Sequence, residues 1–261
     1  MHKPLILITN DDGINSKGLR RLVEYMQEIG NVFVVAPDSP QSGMGHAITL
    51  DSTLSVQKVN LHGLDNTFEA YSCSGTPADC VKLALQELLP QKPDICVSGI
   101  NHGSNASINV IYSGTMSAAM EAGIEGIPAI GFSLCDFDYD ADFSRCKEGV
   151  QLLVREALEK GMPKDTVLNV NFPKSKGEES YKGIRICRQA RANWKEKFDK
   201  RQSPSGKDYY WLTGDFRLLD QGEDTDINAL EDYCISVVPC QFDLTAHHSI
   251  ATLNSWNIHD T

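Results

Sequence analysis

Apolar positions along the chain come in short runs that alternate with amphipathic stretches. Residues 5–8 are apolar, and the run ends abruptly in Asn10, Asp11, Asp12 and Gly13. A short apolar run closed by turn residues predicts a buried strand of a parallel sheet. Ser16 then stands as an N-cap, with Leu19, Leu22, Val23 and Met26 at helical spacing and Gly30 as the stop. Residues 32–36 are apolar again. This strand, helix and strand make a βαβ unit, which implies a parallel sheet and a right-handed crossover. A loop rich in Gly and Ser covers 37–46, and weak alternation over 48–59 predicts a hairpin.

The pattern then repeats. Residues 68–72 predict a strand. Thr76 caps a helix with Pro77 at its first position and Val81, Ala84, Leu85 and Leu88 on its apolar face. Residues 94–98 predict a buried strand broken by Gly99, followed by a long polar loop over 99–115. A helix of small residues over 115–126, a strand at 127–133, a helix across 142–160 and a strand at 167–171 follow. Strands and helices in alternation predict a doubly wound α/β sheet.

Beyond this point the character changes. Residues 188–208 are polar and basic, with Trp194 and Phe198 interleaved. Strands are expected at 209–212 and 234–238, with no crossover helix between them. The expected organisation is therefore a core at 1–187 and, over 188–261, an extended arm and antiparallel strands that pack with the core. Arms of this kind exchange between subunits, so the region points to a homo-oligomer.

Composition narrows the choice of partners. The formal net charge of the 261-residue chain is −11, which argues against a binder of nucleic-acid polymers or anionic membranes. No apolar run approaches bilayer-spanning length. Met1 to Pro4 lead straight into the first strand with no visible signal peptide. The eight cysteines are scattered without a Cys-x-x-Cys, as expected of reduced core residues in a cytoplasmic protein. Asn105-Ala106-Ser107 fits a glycosylation sequon but carries no weight without secretion.

Candidate chemistry concentrates at three polar loops that follow three predicted strands. They hold Asn10 to Gly13; Ser39 to His46; and Ser98 to Asn105, continuing to Ser113-Gly114-Thr115. In a doubly wound sheet such loops share the carboxyl edge, where ligands bind. Two adjacent carboxylates repel, and Mg²⁺ or Mn²⁺ relieves that repulsion if a turn at Gly13 lets both converge. The plain alternative is a surface turn, since Asn-Asp-Asp-Gly is also good turn chemistry. Ser42 and Asn101 offer further oxygens. Ser113-Gly114-Thr115 at a helix start offers N–H groups to an anion. His46 is either an acid/base group or a structural residue. No dinucleotide fingerprint or P-loop appears. Metal and anion pocket together point to phosphoester hydrolysis.

These segments resemble the SurE (survival protein E) family of metal-dependent 5′/3′-nucleotidases. The resemblance is carried by Ile8-Thr9-Asn10-Asp11-Asp12-Gly13, Val35-Ala36-Pro37-Asp38, Gln41-Ser42-Gly43 and Gly45-His46. It continues in Ser74-Gly75-Thr76-Pro77-Ala78-Asp79-Cys80-Val81, Val97-Ser98-Gly99-Ile100-Asn101, Ser113-Gly114-Thr115 and Asn169-Val170-Asn171-Phe172-Pro173. Trp194, Tyr209-Tyr210-Trp211 and Pro239 extend it toward the end of the chain. The resemblance implies a Rossmann-like core and a C-terminal arm that assembles a dimer or tetramer. It implies one divalent ion per subunit, Mg²⁺ or Mn²⁺, held by Asp11, Asp12, Ser42 and Asn101. Asp11, Asp12 and Asn101 carry the catalytic role in this reading. Asn10, Gly43, Asn105, Ser113, Gly114 and Thr115 hold the phosphate, and His46 is a possible acid/base. The implied activity is hydrolysis of nucleoside 5′- and 3′-monophosphates, and of short polyphosphate in some members.

The chain departs from the family in places. His102 stands where relatives often have Arg, the 104–109 stretch bears on the nucleoside side of the pocket, and Asp232 replaces a frequent Gly. Two readings compete with the nucleotidase. A phospho-acceptor regulatory module wants an acceptor Asp after the third core strand, where this chain has Ser98-Gly99-Ile100-Asn101. The other is a non-catalytic nucleotide-binding protein.

Overall fold

The computed structural model describes residues 3–65, 67–138, 140–177, 179–256 and 258. In chain order the first half runs β1 (Leu5–Thr9), α1 (Lys17–Gln27), β2 (Asn31–Pro37), β3 (Val56–Lys58), β4 (Glu69–Cys73), α2 (Pro77–Leu83) and β5 (Ile95–His102). Then come α3 (Gly114–Ile124), β6 (Ala129–Leu134), α4 (Lys147–Lys160), β7 (Thr166–Phe172) and β8 (Ile184–Ile186). The chain ends with β9 (Ala192–Gln202), β10 (Asp208–Leu218), α5 (Asp226–Glu231), β11 (Ile235–Gln241) and α6 (Ile250–Asn254).

The described residues form a nine-stranded sheet in the order β3-β4-β2-β1-β5-β6-β7-β11-β8. From β4 to β7 every pairing is parallel, while β3 and β11 join antiparallel at either side. The order reverses between β1 and β5, so their carboxyl ends flank the crevice of a doubly wound fold. β1 is apolar from Leu5 to Ile8 because both faces are covered. Ile6 and Ile8 join the core shared with α1 and α4, while Leu5 and Leu7 join the core shared with α2 and α3.

The helix starts behave as their sequences require. Ser16 Oγ accepts from Leu19 N (3.4 Å), and Thr76 closes a capping box with Asp79 at the head of α2. The α2 run continues through a π turn at Ala84–Leu88.

Several expectations need correction. Gly99 does not end β5; the strand runs on to His102 because β6 lies alongside, pairing Asn101 with Ser133 and His102 with Leu134 across an irregular step. Of the 48–59 stretch only β3 is a strand, and it pairs antiparallel with β4 and not with another strand inside 48–59. The 99–115 loop contains a 3-10 helix at Ser107–Tyr112. A helix, α5, does separate the two late strands; at six residues it is too short for periodicity to register. The strand expected at 234–238 is present as β11, which joins the main sheet antiparallel beside β7. The part that leaves the sheet is an antiparallel ribbon of β9 and β10, paired from Ala192–Leu218 to Gln202–Asp208.

Candidate metal centre and adjoining cleft

The acidic turn is built by β1 and locked by its own side chains. Gly13 adopts φ +93°, a conformation that strains residues with a Cβ. Asn10 Nδ2 donates to Gly13 O (3.1 Å) and to Ser16 Oγ (2.7 Å), which ties the turn to the start of α1. Asp11 points the other way, toward α3. Its Oδ1 accepts from Thr115 Oγ1 at 2.5 Å, and its carbonyl accepts from Gln41 N at 2.7 Å. A Cβ on Gly114 would lie 2.6 Å from Asp11 Cβ, so α3 can start this close only with glycine there. Asp12 Oδ2 accepts from His102 N at 3.0 Å. The tip of β5 thus holds one acid and the start of α3 holds its neighbour.

The electrostatics follow from this enclosure. Burial raises the pKa of Asp11, although the Thr115 hydroxyl and the N–H groups at the start of α3 oppose the rise. Burial and the charge of Asp11 push Asp12 up to about 6, against the pull of the His102 N–H. Two adjacent carboxylates, one buried and one half-buried, are costly as anions unless a cation joins them.

The other sequence-derived residues fall into three groups. Asn101 is buried and donates Nδ2 to Gly103 O at 2.8 Å, which leaves its amide oxygen as the group suited to an ion. Ser42 and Gly43 are exposed on the loop whose Gln41 is bonded to Asp11. Ser113 caps α3, accepting from Met116 N at 3.0 Å, and Thr115 is engaged with Asp11. Asn105 belongs to a buried amide network instead. Its N donates to Asn171 Oδ1 (2.9 Å), its Nδ2 donates to Ser133 Oγ (2.9 Å), and its carbonyl accepts from Asn169 Nδ2 (2.9 Å). His46 Nε2 lies 2.9 Å from Glu121 Oε2, and Lys82 Nζ reaches Glu121 Oε1 at 2.5 Å. Burial opposes the charge of Glu121, but His46 and Lys82 together hold its carboxyl below its ordinary pKa. The 104–109 stretch faces the C-terminal region: Ser107 N donates to Asp226 Oδ2 (2.7 Å), and Trp194 Nε1 donates to Asn109 Oδ1 (2.8 Å).

Sequence reading missed Glu121, Lys82, Ser133 and Asp226. Alternating amides in Asn169-Val170-Asn171, on an otherwise apolar strand, were the available signal for the buried network.

The donor types suit a hard divalent ion. No group of three or more His, Cys, Asp or Glu arranged for a metal occurs among the described residues. The set on offer is two carboxylates with amide and hydroxyl oxygens, which favours Mg²⁺ or Mn²⁺ over zinc. Asn10 Oδ1, next in sequence to the pair, is buried without a hydrogen-bond partner, as an oxygen left for a cation would be. From Asp12 a cleft of about 880 Å³ opens toward α1, walled by Lys17, Arg20, His62, Leu64, His102 and Phe143 among others.

Comparison with known proteins bears on this arrangement. The family described as Survival protein SurE matches residues 6–196. The chain belongs to the SurE family. It is 66% identical over 258 residues to the 5′-nucleotidase SurE of Flavobacterium psychrophilum, covering 99% of both chains. It is 62% identical over 258 residues to the 5′-nucleotidase SurE of Christiangramia forsetii, covering 99% of this chain and 98% of that one. The crystal structure of the SurE protein from Aquifex aeolicus superposes with a TM-score of 0.82 at 38% identity, covering 96% of this chain and 98% of that one. No helix among the described residues is long and apolar enough to cross a membrane.

Proposed function

We propose that the chain is a divalent-metal-dependent phosphomonoesterase that hydrolyses nucleoside 5′-monophosphates, and 3′-monophosphates, to nucleoside and phosphate. The carrying observation is the adjacent pair of buried Asp11 and half-buried Asp12, held by the start of α3 and the tip of β5. The activity in the names of the SurE relatives is the same chemistry.

Asp11, Asp12, Ser42 and Asn101 are the residues that would hold the ion, one Mg²⁺ or Mn²⁺ per subunit. A divalent ion supplies Lewis-acid polarisation of the phosphoryl group there. The chain does the rest. Thr115 fixes the rotamer of Asp11, and the His102 N–H fixes Asp12. The start of α3 and Gly43 are the side suited to the phosphate oxygens, whereas Asn10 commits its Nδ2 donors to Gly13 O and Ser16 Oγ and has only an acceptor oxygen left. His46 is tied to Glu121, which supports a role in holding the 39–46 loop more than one in moving a proton. The regulatory-module reading is disfavoured because β5 carries Ser98-Gly99-Ile100-Asn101 at the crevice, with no acceptor Asp and an amide in its place.

The ribbon of β9 and β10 supports assembly. Phe198, Tyr210, Trp211 and Leu212 are exposed on it, an apolar surface that exchange with a second copy would cover. On that reading the core spans 1–187 and the remainder contributes to a homodimer or homotetramer. The eight free thiols suit a reducing, cytoplasmic setting.

The test is phosphate release from a panel of nucleoside monophosphates and tripolyphosphate with Mg²⁺ and Mn²⁺, comparing the native chain with Asp11→Asn. Asp11→Asn is expected to lose at least about 100-fold in rate, roughly 3 kcal/mol of transition-state stabilisation. It is also expected to lose the rise in melting temperature on adding Mn²⁺. Full activity in the variant would remove Asp11 from the ligand set.

A further inference from the structure

We propose that two buried carboxylates outside the metal centre, Asp79 on α2 and Glu121 on α3, are positioning residues. They clamp the far end of the 39–49 loop and so set Ser42 and Gly43 at the acidic pair, a role that rests on the nucleotidase reading. Ser42, Gly43 and Met44 are exposed, and Gly43 and Gly45 take positive φ (75° and 56°). An exposed, glycine-rich segment does not keep one shape by itself. On its near side Gln41 N holds Asp11 O at 2.7 Å. Further ties lie beyond Ser42, the first of them a long bond from Gly45 N to Tyr112 O at 3.3 Å.

The far end of the loop meets both helices through side chains. Thr49 donates twice to Asp79, from its N to Oδ1 (3.0 Å) and from its Oγ1 to Oδ2 (2.7 Å). Asp79 Oδ2 also accepts from Thr76 N at 2.9 Å, so the carboxylate that caps α2 is the one that grips the loop. Thr76 Oγ1 donates to Ala47 O at 2.7 Å. His46 Nε2 lies 2.9 Å from Glu121 Oε2, and Lys82 Nζ takes the other Glu121 oxygen. Asp79 and Glu121 are each only 3% exposed. Burial opposes both charges, yet the donors around each hold its carboxyl below its ordinary range. A carboxylate kept ionised in the interior binds its donors more strongly than a neutral acceptor does.

The clamp accounts for a stretch that takes no part in holding the ion or the phosphate, Ser74 to Val81. Gly75 lets its turn close onto Asp79, since a Cβ there would lie 2.7 Å from Asp79 Cβ. Thr76 and Asp79 then face the loop. Helix α3 joins the clamp to the metal centre. Its start bonds Asp11 through Thr115, and about two turns further on Glu121 meets His46. The acidic pair and the Ser42 loop are thus both referenced to one rigid helix. Ser42 and Gly43 would touch ion and phosphate in the ground state and the transition state alike. Loosening them therefore weakens binding and raises KM more than it lowers kcat.

Asp79→Asn would also weaken the cap of α2, so the test changes the loop-side partners, His46→Ala and Thr49→Val, both outside helices and strands. In the full-length protein the double variant is expected to raise the Mn²⁺ dissociation constant by calorimetry, and the KM for adenosine 5′-monophosphate, about tenfold, with kcat at saturating metal and substrate within about twofold of native. Amide hydrogen exchange over 41–45 is expected to quicken about tenfold without ligand. Glu121→Gln added to His46→Ala is expected to change KM by less than about twofold more, because the two residues share one contact. Lys82→Met removes the other partner of Glu121 and leaves the loop side intact, so its KM and exchange are expected within about twofold of native. Unchanged exchange over 41–45 in the double variant would overturn the proposal. So would a fall in kcat at unchanged KM in His46→Ala, which would make His46 a proton carrier. Equal effects in Lys82→Met and His46→Ala would overturn it as well, because the loss would then follow general stability. If the native chain released phosphate from no nucleotide, the nucleotidase reading would fail by itself; hydrogen exchange needs no turnover and would still decide the clamp.

Discussion

Asp12 occupies a place that disfavours its own charge. Burial and the neighbouring Asp11 raise its pKa from 3.8 to about 6. A raised carboxylate pKa means that the native state binds the proton more tightly than the unfolded chain does. Without metal, stability should therefore fall as pH rises from about 4 to about 6 and stay low above it. Asp12→Asn removes that penalty. In the presence of a chelator the variant is expected to be more stable than the native chain at pH 8, by about 2 kcal/mol, with the difference vanishing near pH 4. Denaturant melts at the two pH values check this; an equal difference at both would refute the electrostatic account. Added Mn²⁺ should reverse the order at pH 8, because only the native pair regains its cation.

At the level of elements, the site depends on how closely α3 approaches β1. Gly114 permits it, since a Cβ there would meet Asp11 Cβ at 2.6 Å and Asp11 Oδ2 at 3.0 Å. Gly114→Ala is expected to cost about 1–3 kcal/mol and to lower kcat/KM more than Gly126→Ala, a change remote from the site. Thermal melts and steady-state rates measure both effects. The 39–46 loop is held in a comparable way, by Gln41 N on Asp11 O, Gly45 N on Tyr112 O (3.3 Å) and His46 on Glu121. The presence of three loops at one sheet edge was legible in the sequence, because apolar runs and turn residues are local. The partners of each side chain were not. Nothing near His46 announces Glu121, which is brought to it by the packing of α3. Asn105 looked like a loop residue free for phosphate, yet β6 and β7 supply Ser133, Asn169 and Asn171 to occupy it.

Over the whole molecule, the main sheet reaches further into the C-terminal region than the sequence suggested. β11 is antiparallel to β7 and parallel to β8, so an assembly test must spare it. Replacing residues 194–216 with a short Gly-Ser turn removes the ribbon and leaves the sheet whole. That variant is expected to fold, with unchanged helix content by circular dichroism, and to form a smaller assembly by light scattering. An unchanged mass would place the subunit contact elsewhere. Trp194 at the ribbon base and Asp226 of α5 bond to Asn109 and Ser107, which ties the C-terminal region to the loop that follows Asn101.

By itself the sequence determined the repeating strand and helix order, the loops that carry acids and amides after the strands, and the family resemblance. These rest on periodicity, caps and turn residues, which act over a few positions. Only the tertiary structure decided that β5 runs past Gly99, that β11 lies in the sheet beside β7, and that Asp11 is bonded by α3 and Asp12 by β5. Each of these depends on a neighbouring strand or helix distant in sequence, which supplies the hydrogen bonds or excludes the water that local pattern cannot see.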